Sequence, residues 1–178
     1  MHHYEMRDGQ ISISNDLDSK HAPEIARIAN DSTIAEFIGV HGFPHPYTTE
    51  DALYFFSMNR EEGKREFAID FIIFLNEQPA GVIGLKDIDY YDSKAHVGYW
   101  VGKEFRSKGV ASVALKLVCE FSRKTLNIGR LYTKVMENNP ASMKVLLRNG
   151  FGMEGYERDS YRVAGGYRSM LLFARIMR

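Results

Sequence analysis

A mixed sheet with helices on both faces is the fold class this sequence predicts, and two patterns predict it. Strand-like apolar runs follow one another from residue 67 to residue 101, and helical and strand-like runs alternate after that. Length is the third observation: 178 residues suit one domain of ordinary size with a full core. There are no internal repeats, low-complexity tracts or signs of a second domain. The expected organisation is an N-terminal tail over residues 1–10 and a single domain over residues 11–178.

Ile11 to Leu17 alternates as a first strand. Ala22, Ile25, Ala26, Ile28 and Ala29 recur at helical spacing, so residues 22–30 read as a short amphipathic helix. A second short helix is expected from Thr33 to Ile38. Gly39, Gly42, Pro44 and Pro46 make the stretch from Gly39 to Tyr47 an ordered loop. Thr48 followed by Asp51 is an N-cap with an acid in the first turn, opening a helix that runs to about Glu62. Phe67 to Leu75 is strongly apolar, Asn76-Glu77-Gln78-Pro79 turns the chain, and Ala80 to Asp89 returns. A strand from Ala95 to Val101 follows, then a helix from Gly109 to Lys124 and a strand from Leu131 to Met136. A helix from Pro140 to Asn149 and strands near Met153–Asp159 and Arg168–Ile176 complete the chain.

Composition excludes several function classes. The 44% apolar and 26% charged shares are those of a soluble globular protein. Lys plus Arg equal Asp plus Glu at 23 each, so no global field favours nucleic acid or acidic lipid, and neither is expected as a partner. The single cysteine, Cys119, excludes an internal disulfide and a multi-cysteine metal site; it follows the helical run and reads as packing. No metal is expected, His2 and His3 being read as part of a polar tail. No apolar run approaches the roughly 20 residues needed to span a bilayer, and the N-terminus lacks the apolar core of a signal peptide. A cytoplasmic protein, monomer or homodimer, is the expectation.

Residues 98–112 carry the strongest chemical signal. The apolar run Val97 to Val101 ends in a turn of small and basic residues that opens directly into the helical pattern Val110, Val113, Ala114, Leu117, Val118 and Phe121. Such a strand–turn–helix junction leaves backbone N–H groups unpaired at the helix N-terminus, all facing one way with partial positive charge. Gly109 and Ala111 let a large anion approach the backbone, and Arg106 and Lys108 add formal charge. A diphosphate fits this description. A surface turn whose glycine only relieves strain is the plain alternative for the stretch taken alone. Neither Gly-x-x-x-x-Gly-Lys-Ser/Thr nor a Gly-x-Gly-x-x-Gly after a strand occurs, so two common phosphate loops are set aside.

A second constellation, Glu-Asn-Asn-Pro-Ala-Ser-Met-Lys-Val-Leu-Leu-Arg-Asn-Gly-Phe over residues 137–151, joins the first. With Arg106-x-x-Gly109-x-Ala111 it resembles the GNAT superfamily of acetyl-CoA-dependent N-acetyltransferases, nearest the branch that acetylates ribosomal-protein N-termini. Phe67-Ala68-Ile69, Gly81-Val82-Ile83-Gly84, Asp87-Ile88-Asp89, Gly98-Tyr99-Trp100-Val101, Asn139-x-x-Ser142, Gly150-Phe151, Glu154-Gly155 and Gly166-Tyr167-Arg168 recur in that branch's order. The resemblance spans roughly residues 11 to 177. It implies an α/β (α+β) GNAT fold: a mixed, mostly antiparallel sheet of about seven strands whose splayed central strands hold acetyl-CoA.

Carried onto this chain, the resemblance implies that the backbones of Tyr99, Trp100 and Val101 face the pantetheine arm, their side chains being core or edge aromatics. Arg106, Ser107, Lys108, Gly109, Val110 and Ala111 would hold the pyrophosphate. Asn139-Pro140 is also a good helix start, Asn being a preferred N-cap and Pro suited to the first helical position. The family reading adds Asn139 against the pantetheine and Ser142 beside the sulfur as donor to the leaving thiolate. Many members carry a tyrosine four residues after this serine as proton donor; here that residue is Leu146, so Ser142 or a water must serve. The branch usually has glutamate two residues before its Gly-Tyr-Trp, where this chain has His96, a candidate base acting directly or through water.

Proton arithmetic bears on the acceptor, because only a neutral amine attacks a thioester. At pH 7, deprotonating an α-amine costs about 1 kcal/mol, against about 4.6 kcal/mol for a lysine-like amine. A site whose candidate base is one histidine or a water suits an α-amine or a perturbed small amine. The expected activity is direct acetyl transfer from acetyl-CoA to a primary amine, a protein or peptide N-terminus. The alternatives are a small-molecule acetyltransferase acting on a polyamine or antibiotic amine, and a non-catalytic acyl-CoA sensor. The acidic run Asp87-Ile88-Asp89-Tyr90-Tyr91-Asp92 is the feature a polycation would seek.

Overall fold

Residues that accept a left-handed backbone set the first turns of the chain. Gly9, at φ 60°, joins strand β1 (Glu5–Asp8) to β2 (Ile11–Ser14). Asn76 and Glu77, at φ 50° and 65°, join β3 (Ile69–Leu75) to β4 (Gln78–Asp89). Two successive positive φ values make a type I′ turn, whose twist matches that of the strands it connects. With β5 (Lys94–Val101), β6 (Arg130–Met136), β7 (Gly152–Val163) and β8 (Gly166–Ile176) these form one sheet, ordered β1-β2-β3-β4-β5-β6-β8-β7. All pairings are antiparallel except that of β5 with β6. This computed structural model describes residues 2–38, 43–64, 67–163 and 165–177. Part of the expected loop, residues 39–42, lies outside them.

Five helices among the described residues flank the sheet: α1 (Ala22–Ala29), α2 (Ser32–Ile38), α3 (Thr49–Lys64), α4 (Val110–Lys124) and α5 (Pro140–Arg148). Their starts follow from capping chemistry. The Thr48 N–H donates to Asp51 Oδ2 at 2.8 Å and the Asp51 N–H to Thr48 Oγ1 at 3.2 Å, a reciprocal pair that fixes the first turn of α3. Asn139 Oδ1 accepts the Ser142 N–H at 3.1 Å, and Pro140 occupies the first helical position of α5. α1 and α3 cover one face of the sheet through β4 and β3, and α4 covers the other across β1 to β5 with α5 beside it. On the α4 side Phe71 of β3 meets Phe121 edge-on at 5.3 Å between ring centroids. Cys119 is buried there, and burial pushes its thiol up to about 11, which leaves it inert at neutral pH.

The sheet has eight strands among the described residues rather than about seven, and the extra one comes from the supposed tail. Met6 pairs with Ile13 and Asp8 with Ile11, and Lys116 Nζ of α4 reaches Asp8 Oδ2 at 2.9 Å. The sheet thus takes its first strand from the stretch read as a tail. An exposed edge strand reading Glu-Met-Arg-Asp carries almost no apolar alternation, so its pairing was invisible to periodicity.

Candidate active site

A parallel pair that stops early creates the central feature of the molecule. β5 pairs with β6 only at Lys94–Arg130, Ala95–Leu131 and His96–Tyr132. Past that point both strands continue, β5 to Val101 and β6 to Met136, with no ladder between them among the described residues. Each keeps a full antiparallel partner on its other side, β4 for β5 and β8 for β6. The result is a cleft with peptide groups of Val97 to Val101 along one wall, and unpaired peptide groups seek hydrogen bonds. Peptide groups alternate along the strand, so those of Tyr99 face the opening, whereas the Trp100 carbonyl lies on the β4 side and the Val101 carbonyl is taken by Arg106. Gly81 holds β5 close to β4 there, since a Cβ at that position would stand 2.2 Å from the Trp100 carbonyl oxygen.

At the wide end of the cleft the chain runs through a turn into α4. Ser107 and Gly109 adopt left-handed φ of 61° and 80°. Gly109 is the N-cap residue of α4, no side chain caps the helix, and a Cβ on Gly109 would meet nothing within 4 Å. The N-terminus over Val110 and Ala111 thus presents main-chain donors with room in front of them. The charge around it differs from expectation. Arg106 turns its guanidinium away: Nε donates to the Val101 carbonyl at 3.0 Å, Nη1 to Thr33 Oγ1 at 3.0 Å and Nη2 to Asp31 Oδ2 at 2.8 Å. Its charge is neutralised by Asp31, and its side chain ties the turn to the start of α2. Lys108, with Nζ 5.9 Å from the Phe105 ring centroid, keeps a positive charge at the turn.

The pleat of β5 sorts the remaining candidates onto two faces. Phe71, Ile83 and Tyr99 stand in one row across β3, β4 and β5, on the α4 side. Tyr99 points at the N-terminus of α5, where its Oη lies 3.0 Å from Ser142 Oγ and 3.3 Å from the Ser142 carbonyl oxygen. Burial pushes the Tyr99 phenol up to about 12, so it stays protonated. Leu146, one turn further along α5, is fully buried and belongs to the core. Sequence reasoning singled out the Tyr99 backbone and not the hydroxyl that the fold brings against Ser142. A signal existed, because a buried tyrosine has to place its O–H somewhere and the start of a helix offers takers.

Residues of even number on β5 face the α1–α3 side. Asp70, Gly84 and Gly98 form a row, and a Cβ on Gly84 would stand 1.6 Å from Asp70 Oδ1. Asp70, 6% exposed, pairs with Lys86 Nζ at 2.7 Å. His96 is in the next row with Lys86 and Tyr132, its ring edge-on to that of Tyr132 at 5.6 Å. Burial lowers the His96 pKa below its ordinary 6.5, against an upward pull from Asp87 and with further lowering by Lys134 and Lys86. Trp100 is beyond Gly98, with Phe43 edge-on to it at 5.9 Å. Gly98 is half-buried, has no left-handed φ, and a Cβ there would meet only His96 Cε1, at 3.7 Å. Neither packing nor backbone geometry demands this glycine. His96 and Ser142, the two catalytic candidates, consequently approach β5 from opposite faces. A separate cavity of about 400 Å3, lined by residues including Asn15, Asp16, Asn59 and Asp70, draws no residue from β5, β6 or α5.

Comparison with known proteins identifies this arrangement. Residues 15–152, more than half of the chain, match the acetyltransferase (GNAT) domain family. The chain belongs to that family. This GNAT chain is 31% identical over 114 residues to the ribosomal-protein-serine acetyltransferase of Escherichia coli (strain K12), covering 64% of each protein. It is 26% identical over 101 residues to the spermidine N(1)-acetyltransferase of the same strain, covering 57% of this chain and 54% of that one. The matched part is thus less than two thirds of either relative's length. Among solved structures, RimL, a ribosomal L7/L12 alpha-N-protein acetyltransferase in complex with coenzyme A, superposes with a TM-score of 0.89 at 23% identity, over 98% of both chains. At that identity the likeness concerns the GNAT fold alone.

Proposed function

We propose that the protein is an acetyl-CoA-dependent N-acetyltransferase whose acceptor is the N-terminal α-amine of a protein or peptide. The early end of the β5–β6 ladder carries this reading. It opens a cleft along β5 beside the uncapped N-terminus of α4, with Tyr99 and Ser142 on one face of that strand and His96 on the other. The residues fit the co-substrate: the α4 N-terminus and Lys108 suit a diphosphate, and the β5 edge suits the amide groups of a pantetheine arm. Asn139, whose Oδ1 caps α5, stands at the start of the helix that carries Ser142.

Acetyl-CoA, when bound, supplies the activated carbonyl that the amine attacks. The chain's own residues do the rest. β5 backbone donors orient the acyl group and offset negative charge on its oxygen. His96, held neutral, accepts the proton released by the amine, directly or through one water. Ser142 donates to the sulfur as the C–S bond breaks. The space over Gly98, between His96 and Trp100, admits the amine from the α1–α3 face. A histidine with lowered pKa is a weak base, which favours an α-amine over a lysine side chain. The relative acting on ribosomal-protein serine supports the same choice. The acidic run at 87–92 gives a polycation less than its composition suggests, because Lys94 pairs with both Asp89 and Asp92.

The test is release of free thiol from acetyl-CoA with a panel of amines. Peptides with a free N-terminal Ser or Ala should release thiol, and the same peptides blocked at the N-terminus but carrying lysine should stay near background. Turnover confined to spermidine would move the acceptor to polyamines. CoA binding without thiol release from any amine would make the protein a sensor.

A further inference from the structure

We propose that Tyr99 is a positioning residue for the departing sulfur: its phenol donates to Ser142 Oγ, so that the Ser142 proton points into the cleft between β5 and β6. The inference rests on the acetyl-transfer reading and assigns a residue to its leaving-group step.

Tyr99 Oη lies 3.0 Å from Ser142 Oγ, a pair in which either hydroxyl can donate, and 3.3 Å from the Ser142 carbonyl oxygen, which can only accept; on our proposal the phenol donates to the nearer of the two. A hydroxyl that already accepts from a phenol turns its own O–H elsewhere. The Ser142 N–H is fixed by Asn139 Oδ1 at 3.1 Å, so the residue is anchored at main chain and side chain together. Its O–H is then free to point into the cleft beyond Val97, where the sulfur of a pantetheine arm would lie. Position 146, where many family members carry a tyrosine on the helix, holds a core leucine in this chain. The phenol arrives instead from the strand across the cleft, 43 residues away in sequence.

Magnitudes decide what the pair does. A thiol near 8.5 is a stronger acid than a phenol pushed up to about 12, by a factor on the order of 10³. A serine hydroxyl is a weaker acid still. Neither group therefore yields its proton for good to a thiolate. When the amine nitrogen bonds to the carbonyl carbon and the C–S bond breaks, the electron pair stays on sulfur. CoA leaves as thiolate, holding a charge-assisted hydrogen bond from Ser142, while the amine proton goes to His96 or water. Tyr99 contributes by aligning that bond before the reaction and by remaining neutral during it.

The experiment compares wild type, Tyr99→Phe, Ser142→Ala and the double variant by kcat and by the titration of CoA bound to the protein, followed through thiolate ultraviolet absorbance. Losing a hydrogen bond to a charged atom corresponds to roughly tenfold to a hundredfold in kcat. Ser142→Ala should show that loss, Tyr99→Phe a loss of similar size, and the double variant no more than Ser142→Ala alone. Bound CoA should titrate below free CoA in wild type and move up by roughly one unit in each variant, with CoA affinity nearly unchanged at pH 6, where the thiol is neutral. Ser142→Thr, which keeps the hydroxyl, should retain most of the shift, and thermal melting checks that each variant is folded. Wild-type kcat and bound-thiol titration in Tyr99→Phe would overturn the proposal, as would a double variant that loses the product of the two single effects. A wild-type protein that binds no CoA would instead overturn the acetyl-transfer reading itself.

Discussion

Gly98 occupies mid-strand in β5, where glycine costs roughly 0.5–1 kcal/mol relative to alanine. Its neighbours leave room for a methyl group, the nearest atom being His96 Cε1 at 3.7 Å. Alanine should therefore raise stability by about that amount, since it restricts the unfolded chain without straining the folded one. The same methyl would occupy the space between His96 and Trp100 through which the amine is proposed to enter. Gly98→Ala should melt at a higher temperature, bind CoA as wild type does, and raise KM for a peptide acceptor about tenfold or more. An unchanged acceptor KM would remove Gly98 from the acceptor path. His96 gives a second prediction at this scale, through pH. Its pKa lies below 6.5 and the acceptor α-amine near 7.8, so two deprotonations are required at low pH. A plot of log kcat/KM should rise with slope near 2 below the histidine pKa and near 1 between the two values. His96→Gln should show slope 1 throughout at a reduced rate. Stability must move with it: a neutral buried histidine contributes most above pH 6.5, and that contribution is lost as pH falls through its lowered folded value. Melting temperature should accordingly drop less on acidification in His96→Gln than in wild type.

Among the elements, the turn before α4 is defined by what it is tied to. Arg106 bonds to the Val101 carbonyl, Thr33 and Asp31, and so fastens this turn to the N-terminal end of α2. Nearby, Arg27 of α1 forms ion pairs with Glu24 and with Glu104 beside the same turn. The sign of one substitution separates fastening from phosphate binding. Were the guanidinium a phosphate ligand, Asp31→Ala would release it and tighten CoA binding. As a fastening, Arg106→Ala and Asp31→Ala should both weaken CoA, by roughly threefold to tenfold, and the double variant should be no worse than the weaker-binding single one. Calorimetric titration with CoA reads all three. The start of α5 shows the same economy, because one Asn139 oxygen both caps the helix and fixes the backbone of Ser142.

At the scale of the whole molecule, the proposed function draws on a sheet that is continuous except along half of one parallel pair. Antiparallel partners outside the gap, β4 and β8, hold β5 and β6 in place while they part. Core packing supports the two halves separately: α4 braces β1 to β5, and β8 pairs with β6 along its whole length from Arg130 to Met136. A cleft made this way exposes backbone donors and acceptors without melting any strand. Its two faces carry different groups, Tyr99 and Ser142 on the α4–α5 side and His96 and Gly98 on the α1–α3 side.

Local chemistry made much of this legible in the sequence. The helices announce themselves through caps and apolar spacing at Thr48–Asp51 and Asn139–Pro140, and the β3–β4 turn through Asn76 beside Glu77. The strand–turn–helix junction at Arg106 to Ala111 was readable because strand, glycine and helix adjoin there in the chain. Alternation also assigns Tyr99 and His96 to opposite faces of β5. What each face meets was decided by the tertiary structure alone. Register and docking placed Ser142 opposite Tyr99, Asp31 opposite Arg106 and Ile13 opposite Met6, pairs separated by stretches whose own patterns say nothing of the partner. Periodicity reports which side of an element is apolar, a property of neighbouring residues. Where a ladder ends and which hydroxyl receives a phenol are properties of contacts made across the fold, and they exist only once the sheet has closed around its core.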